Sequence, residues 1–510
     1  MALLRSPAPP AVGAEAGGAR PRPVLLWVCL GVVLMRATYV LQPLRSDEGG
    51  YLLVARQWHS AGEFLYGDYY VDRPPLLMLI FRVAALTDWD PMIRVLAIPF
   101  ALLAVVAGWS IGRVLGGRTG ATWSAVVAGA LMSTPALAAD QADGELFAAA
   151  VVLAAVALAL RAWEGHGSAR RWHAIAAGVL AAAAPLVKQN FLEALLFVGV
   201  LVAVTLLRSG DDARVRRRAV SFAAAVAIGA TLPHLLVWAW ATSSGFSVAS
   251  LWADLLGFRG AAFDVIWSAH ARAPSGRAQQ LVALGLVSGL FAVVGVWFAA
   301  TRPWRRTTGP VEWAVTAVLG YGVVAVVAGG SYWPHYLIEL VPGAVLAAGA
   351  VAPLAAGAWM GWAVRFSAAS SVLAVVVVGT VYLAVPGVWF QERTGQWLAA
   401  SGQPGDTALV TYGNPSILEA ADMASPYPQL WSLPMRTLDP DHDRLRRTLE
   451  GADAPAWVVQ VHGLNTWRLD EQGLLRAVVR DRYRVVAEVC GNPVLLRVDL
   501  TRETAPPPEC

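Results

Sequence analysis

The chain has 510 residues, 57% of them hydrophobic and 15% charged, with a formal net charge of +4. Soluble domains carry roughly 25% charged residues, so composition excludes a soluble globular enzyme. The small positive balance comes from arginine-rich connectors and does not read as a nucleic-acid surface.

The apolar residues cluster in runs of about 18 to 22, the length needed to cross a bilayer. Residues 1–23 are rich in Pro, Ala and Gly and read as a disordered cytoplasmic tail. Residues 24–41 form the first run. No small-residue cleavage site follows, so this run reads as a retained anchor rather than a signal peptide. Further runs lie at 95–112, 121–138, 144–160, 172–187, 191–207, 219–241, 280–300, 311–328, 336–356 and 366–386. The fold class expected is therefore mostly α, a polytopic membrane protein with about eleven transmembrane helices. Alternate connectors carry arginines: Arg113 and Arg118, then Arg161, Arg170 and Arg171, then Arg208 to Arg218, then Arg302, Arg305 and Arg306, then Arg365. The positive-inside rule puts these loops and the N-terminus in the cytoplasm, and the C-terminus outside.

An outer loop, residues 44–93, separates the first two runs. Within it the stretch Ser46–Pro75 opens with Asp47-Glu48, closes with Asp72-Arg73-Pro74-Pro75, and holds Arg56 and many aromatics between. Beyond about 390 the apolar runs shorten to strand length and alternate with helical patterns. Residues 391–500 thus read as a small extracytoplasmic α/β domain, followed by a disordered tail, 501–510. Cys490 and Cys510 could pair if this region is outside; spacing alone leaves that open.

Ionisable groups close to a bilayer surface are functional candidates by default. Asp47 and Glu48 could serve as a general base, or simply as first-turn acids of a helix capped by Ser46. The double proline holds Asp72 and Arg73 in a rigid extended stretch suited to a phosphate or a metal–phosphate unit. Lys188 is the only lysine among 39 basic residues and ends an apolar run on the outer side. It reads as a phosphate contact, with a snorkelling residue as the alternative. Asp143 stands at the outer start of a span. His335 reads as an interfacial hydrogen-bonded residue, and His270 is a weaker candidate still. No zinc-protease, P-loop, dinucleotide or paired CxxC motif is present. Carboxylates to activate a hydroxyl, cations to hold a departing phosphate, and aromatic faces for a sugar together suit glycosyl transfer from a lipid-phosphate sugar.

The same residues, in this order, resemble the C-type membrane glycosyltransferase fold and, within it, glycosyltransferase family 39. That family includes protein O-mannosyltransferases and lipid A aminoarabinose transferases. The resemblance covers most of residues 24–390. It rests on Asp47-Glu48, Tyr51, Ala55-Arg56, Asp72-Arg73-Pro74-Pro75, Asp143, Lys188, and Tyr332-Trp-Pro-His-Tyr-Leu337 leading to Pro342. It implies a polyprenyl-phosphate-sugar donor and an envelope glycan, lipid or protein acceptor. It also implies a transmembrane glycosyltransferase domain over 24–390 with 44–93 as its catalytic loop. By resemblance, Asp47 is the base and Asp143 a second acid, while Lys188, Arg56 and Arg73 contact lipid phosphate. Asp72 takes the place of an acid that ligates a divalent metal ion in some members. Two departures stand out. Asp-Arg replaces the Glu-Lys common before the double proline, and Gly50 stands where some members carry arginine. The alternative function is a lipid-linked sugar flippase or transporter, which would carry ionisable residues near the midplane and internal repeats.

Overall fold

In lipid, an apolar run must satisfy its backbone polar groups internally, which makes it a helix. In the computed structural model the expected apolar runs are mostly helical, though 280–300 is divided between Arg272–Val287 and Leu290–Thr301, and 121–138 and 336–356 extend past the helix ends at Leu131 and Val351. The structure describes residues 22–268, 272–302 and 308–510. Most of the expected 1–23 tail, His270, Arg305 and Arg306 lie outside the described residues.

Six helices are each long and apolar enough to cross a membrane: Met92–Leu131, Gly144–Glu164, Ala213–Ser243, Pro310–Ala328, Pro334–Val351 and Gly357–Ala384. The pair Ser275–Val287 and Leu290–Thr301 is long and apolar enough only taken together and is bent by 72°, so it adds a seventh span if it crosses as one and is otherwise a re-entrant loop. The chain is thus a multi-pass membrane protein. Met92–Leu131 carries two of the expected runs. Gly116 and Gly117 leave helical geometry, Gly117 at φ +63°, which glycine adopts without steric cost. The runs 24–41 and 191–207 fall on Arg22–Ala37 and Glu193–Arg208, each 16 residues and too short by itself, and 172–187 falls on Gly167–Val187, which is long enough but not among the helices apolar enough to cross.

The chain divides into two compact units, and the division is not the linear one expected at residue 390. One unit collects residues up to Thr38, Ala97–Val237 and Ala273–Val376. The other collects Tyr39–Leu96, Trp238–Arg272 and Val377–Cys510, so the 44–93 loop folds with the C-terminal domain.

Within that second unit, β1 (Ala408–Thr411), β2 (Trp457–Gln460), β3 (Tyr483–Val489) and β4 (Asn492–Arg497) form one sheet. The order is β1-β2-β4-β3, with β1 parallel to β2 and the other pairs antiparallel. Leu409, Val458 and Leu495 pack there against Leu445 and Leu449 of Asp443–Glu450 and Val479 of Leu474–Arg482. The final ten residues are not a loose tail. Arg502 pairs with Asp406 at 2.7 Å, the Trp397 indole donates to the Ala505 carbonyl, and Cys510 is disulfide-bonded to Cys490. A cross-link and a half-buried ion pair are enough to order so short a segment.

The aromatics of the 44–93 loop also differ from expectation. Tyr51, Tyr66, Tyr69 and Tyr70 are buried rather than offered to a ligand. Tyr66 stacks on Trp240, Trp58 meets both, and Tyr70 packs against Phe64 and Phe258. Residues 57–74 have almost no regular ladder, so ring packing supplies the core that holds them.

Candidate functional site

The helix Ser46–Arg56 is the next element after the apolar helix Arg22–Ala37. Its N-cap position is Arg45, not Ser46 as expected, and the Glu48 carboxylate accepts from the Arg45 backbone N–H at 2.9 Å. Gly49-Gly50 does not spoil the helix start; it permits a close approach. A Cβ on Gly49 would lie 2.6 Å from the Ser416 Cβ. One on Gly50 would lie 2.4 Å from both the Pro415 Cγ and the Trp431 Cζ2.

Adjacent acids on a helix point about 100° apart, and here their fates diverge. The Asp47 side chain is 32% exposed, while that of Glu48 is 0% exposed. Asp47 Oδ1 accepts from the Trp431 indole at 2.9 Å and Oδ2 from the Tyr51 hydroxyl at 3.1 Å. Arg73 donates from Nε to the Tyr51 hydroxyl at 2.5 Å, and its guanidinium lies 3.9 Å from Asp47 and over the Tyr51 ring. Asp47 is thus a held, solvent-reached carboxylate beside a cation.

Glu48, expected in the catalytic group, is a structural residue here. Arg94 donates to both of its oxygens, at 2.8 and 2.6 Å, and spends its other hydrogens on the carbonyls of Tyr39, Gln42 and Pro43. A carboxylate so enclosed cannot meet an acceptor hydroxyl.

Asp72 is gripped by Arg73 at 2.6 Å and by Arg259 at 2.8 Å. A dication placed on those oxygens would face two guanidinium groups. Among the described residues no group of three or more His, Cys, Asp or Glu is arranged to hold a metal. The expected metal role of Asp72 does not fit this donor set.

Arg56 is likewise occupied elsewhere. It pairs with Asp90 and Glu419 and does not join the Asp47–Arg73 group. Burial lifts the Glu419 carboxyl to about 8 even against the neighbouring Arg56. The folded state therefore holds a proton that an unfolded glutamate, with a pKa of about 4.3, releases. Stability from this group is fully present below about pH 4.3 and is lost as pH rises toward 8. Thermal midpoints recorded from pH 5 to pH 9 are expected to fall. Glu419→Gln is expected to flatten that slope; an unchanged slope would mean the carboxyl stays ionised.

The remaining candidates belong to the other unit. Asp143 is the N-cap residue of Gly144–Glu164, 3.4 Å from His335 Nδ1. Lys188 follows the helix Gly167–Val187 and pairs with Glu145 at 2.8 Å, with His335 Nε2 3.7 Å from the same carboxylate oxygen. Glu339 accepts from Asn190, and Glu145, Glu193 and Lys188 all act on it electrostatically. Lys188, expected to face a phosphate, is therefore neutralised by a carboxylate. Glu145 is a first-turn acid of its helix, a position that in sequence is an ordinary one, and Glu193 carried no signal.

Arg259, Arg94 and Trp431 carry contacts that sequence reasoning missed. Arg259 had no distinguishing signal, since it is one of three arginines, with Arg272 and Arg277, in the connector 242–279. Trp431 had none, since 384 residues separate it from Asp47.

Taken together, these features define a polytopic helical protein in which the 44–93 loop and the C-terminal domain present a held carboxylate beside arginines. Its fold is that of the C-type membrane glycosyltransferases. ArnT from Cupriavidus metallidurans in the apo state matches with a TM-score of 0.60 at 16% identity, over 92% of this chain and 97% of that one. ArnT bound to undecaprenyl phosphate matches with the same score and identity, over 94% and 98%. The Archaeoglobus fulgidus oligosaccharyltransferase in complex with Zn and sulfate matches at 0.54 and 14% identity, over 94% and 73%. No family model and no curated protein sequence matches the chain.

Proposed function

We propose that the chain is an integral membrane glycosyltransferase that moves a sugar from a polyprenyl-phosphate-sugar donor to an extracytoplasmic acceptor. The observation that carries this is Asp47, a half-open carboxylate held by Trp431 and Tyr51 beside Arg73, in a fold shared with a transferase solved with undecaprenyl phosphate. Asp47 takes the proton of an acceptor hydroxyl as its oxygen bonds to the anomeric carbon. The bond from that carbon to the phosphate oxygen breaks, and the electron pair leaves with the polyprenyl phosphate. Arg73 and Arg259 are the cations nearest this acid group, suited to the charge that develops. The phosphate leaves without needing a strong general acid.

Asp143 and Lys188 take the roles the resemblance implies, a second acid and a phosphate contact. Lys188 reaches a phosphate only by exchanging Glu145 for it. Eleven spans, a cytoplasmic N-terminus and an outer C-terminus remain part of this reading. The Cys490–Cys510 disulfide supports the outer placement, because such bonds persist in oxidising compartments. A reporter active only outside the membrane should work when fused after Leu500 and fail at Arg216; the reverse pattern would invert the sidedness.

A second reading has one observation behind it. The carboxylates of Asp143, Glu145, Glu193 and Glu339 with Lys188 and His335 form a buried charged group of the kind that lines transport paths. One assay separates the two. Full-length protein in nanodiscs is supplied with undecaprenyl phosphate carrying a labelled hexose or pentose, plus an envelope fraction from cells lacking the protein. A transferase releases undecaprenyl phosphate and labels the envelope material. A flippase leaves the donor intact.

A further inference from the structure

We infer that Trp431 is a positioning residue for Asp47, so that the C-terminal domain completes the base rather than merely standing beside it. This rests on the reading of Asp47 as the base. The indole N–H is the side chain's one polar atom, and it points at Asp47 Oδ1 at 2.9 Å. The ring packs on Tyr51, centroids 5.3 Å apart, and Tyr51 donates to the other oxygen of the same carboxylate. Two donors that rest on each other leave Asp47 one orientation, with its remaining lone pairs toward the open side. The helix is built to admit the indole, because any side chain larger than hydrogen at position 50 would collide with it.

The segment bearing Trp431 is itself sewn to the loop. Tyr70 N–H donates to the Pro428 carbonyl at 3.1 Å, and Ser425 N–H to the Tyr69 hydroxyl at 2.9 Å. Residues 425–431 therefore act as a strap that carries a hydrogen-bond donor from the sheet domain to the loop's carboxylate. Without it, Asp47 keeps its chemistry and loses half of its fixed geometry. A base must lie within hydrogen-bond reach of the proton it takes, so geometry lost here is rate lost.

The test is Trp431→Phe, which keeps an aromatic ring against Tyr51 and removes the N–H donor together with the five-membered ring that carries it. In the undecaprenyl phosphate release assay kcat is expected to fall roughly 10- to 100-fold, the effect of losing one hydrogen bond to a charged group. KM for the labelled donor should hold. Gly50→Ala, whose Cβ pushes the indole and Pro415 away from the helix without altering the indole, is expected to reproduce the fall in kcat. A Trp431→Phe protein with the wild-type kcat, or one that loses only thermal stability, would overturn the inference. Asp47→Asn run alongside separates the failures. If it is inactive while Trp431→Phe is normal, the base stands and the positioning role falls. If it is fully active, both fall.

Discussion

Asp47→Asn is expected to lower undecaprenyl phosphate release by about 10²–10⁴-fold, the usual contribution of a positioned acid or base, while the protein stays folded. The amide keeps the shape, and its oxygen can still accept from the Trp431 indole. What is lost is the capacity to take a proton. The stability change should be small, because the side chain is 32% exposed and its guanidinium neighbour is 3.9 Å away. Ion pairs of that kind are worth about 0–1 kcal/mol. Release rates and thermal midpoints measured on the same preparation check both halves. A variant that releases at the wild-type rate would move the base elsewhere. Asp143 would then be next, since Glu48 is sealed beneath Arg94.

The membrane fold was legible because its cause is local. A run of about 20 apolar residues has few alternatives to a helix in lipid, and charged connectors mark its ends. The strands after residue 408 were legible for the same reason; each apolar run has strand length and falls on β1 to β4. Asp47 and Arg73 were each singled out as ionisable groups of one loop, though nothing in the sequence sets them side by side. What the sequence hid is long-range. Nothing in Asp47-Glu48 says which acid faces solvent; that depends on Arg94, which caps one of them from 46 residues away. The loop's tyrosines gave an aromatic composition but not its use, since a buried ring and a sugar platform look alike in one dimension. Lys188 was singled out by rarity, and rarity carries no information about Glu145 across the fold. The expected metal role of Asp72 failed on Arg259, which comes from another connector altogether.

Glu48→Ala is expected to destabilise the unit that contains it by about 3–5 kcal/mol, the usual result of removing one partner of a buried ion pair. The side chains of Glu48 and Arg94 are 0% and 2% exposed, so the guanidinium cannot turn to water when the carboxylate goes. It would retain the carbonyls of Tyr39, Gln42 and Pro43, which carry partial charge only. Those carbonyls belong to the turn between the anchor and the helix Ser46–Arg56. Loss of Glu48 should therefore loosen this turn and with it the start of the helix that presents Asp47. Activity should fall together with the thermal midpoint, and protease cleavage within residues 39–45 should rise. That coupled loss distinguishes Glu48 from Asp47, whose replacement removes activity alone. Pairing Glu48→Leu with Arg94→Met should recover part of the midpoint, because two apolar side chains leave no charge stranded. If Glu48→Ala instead keeps the wild-type midpoint and protease pattern while abolishing release, Glu48 is reached by substrate, and the division of labour between the two acids is the reverse of the one drawn from their burial.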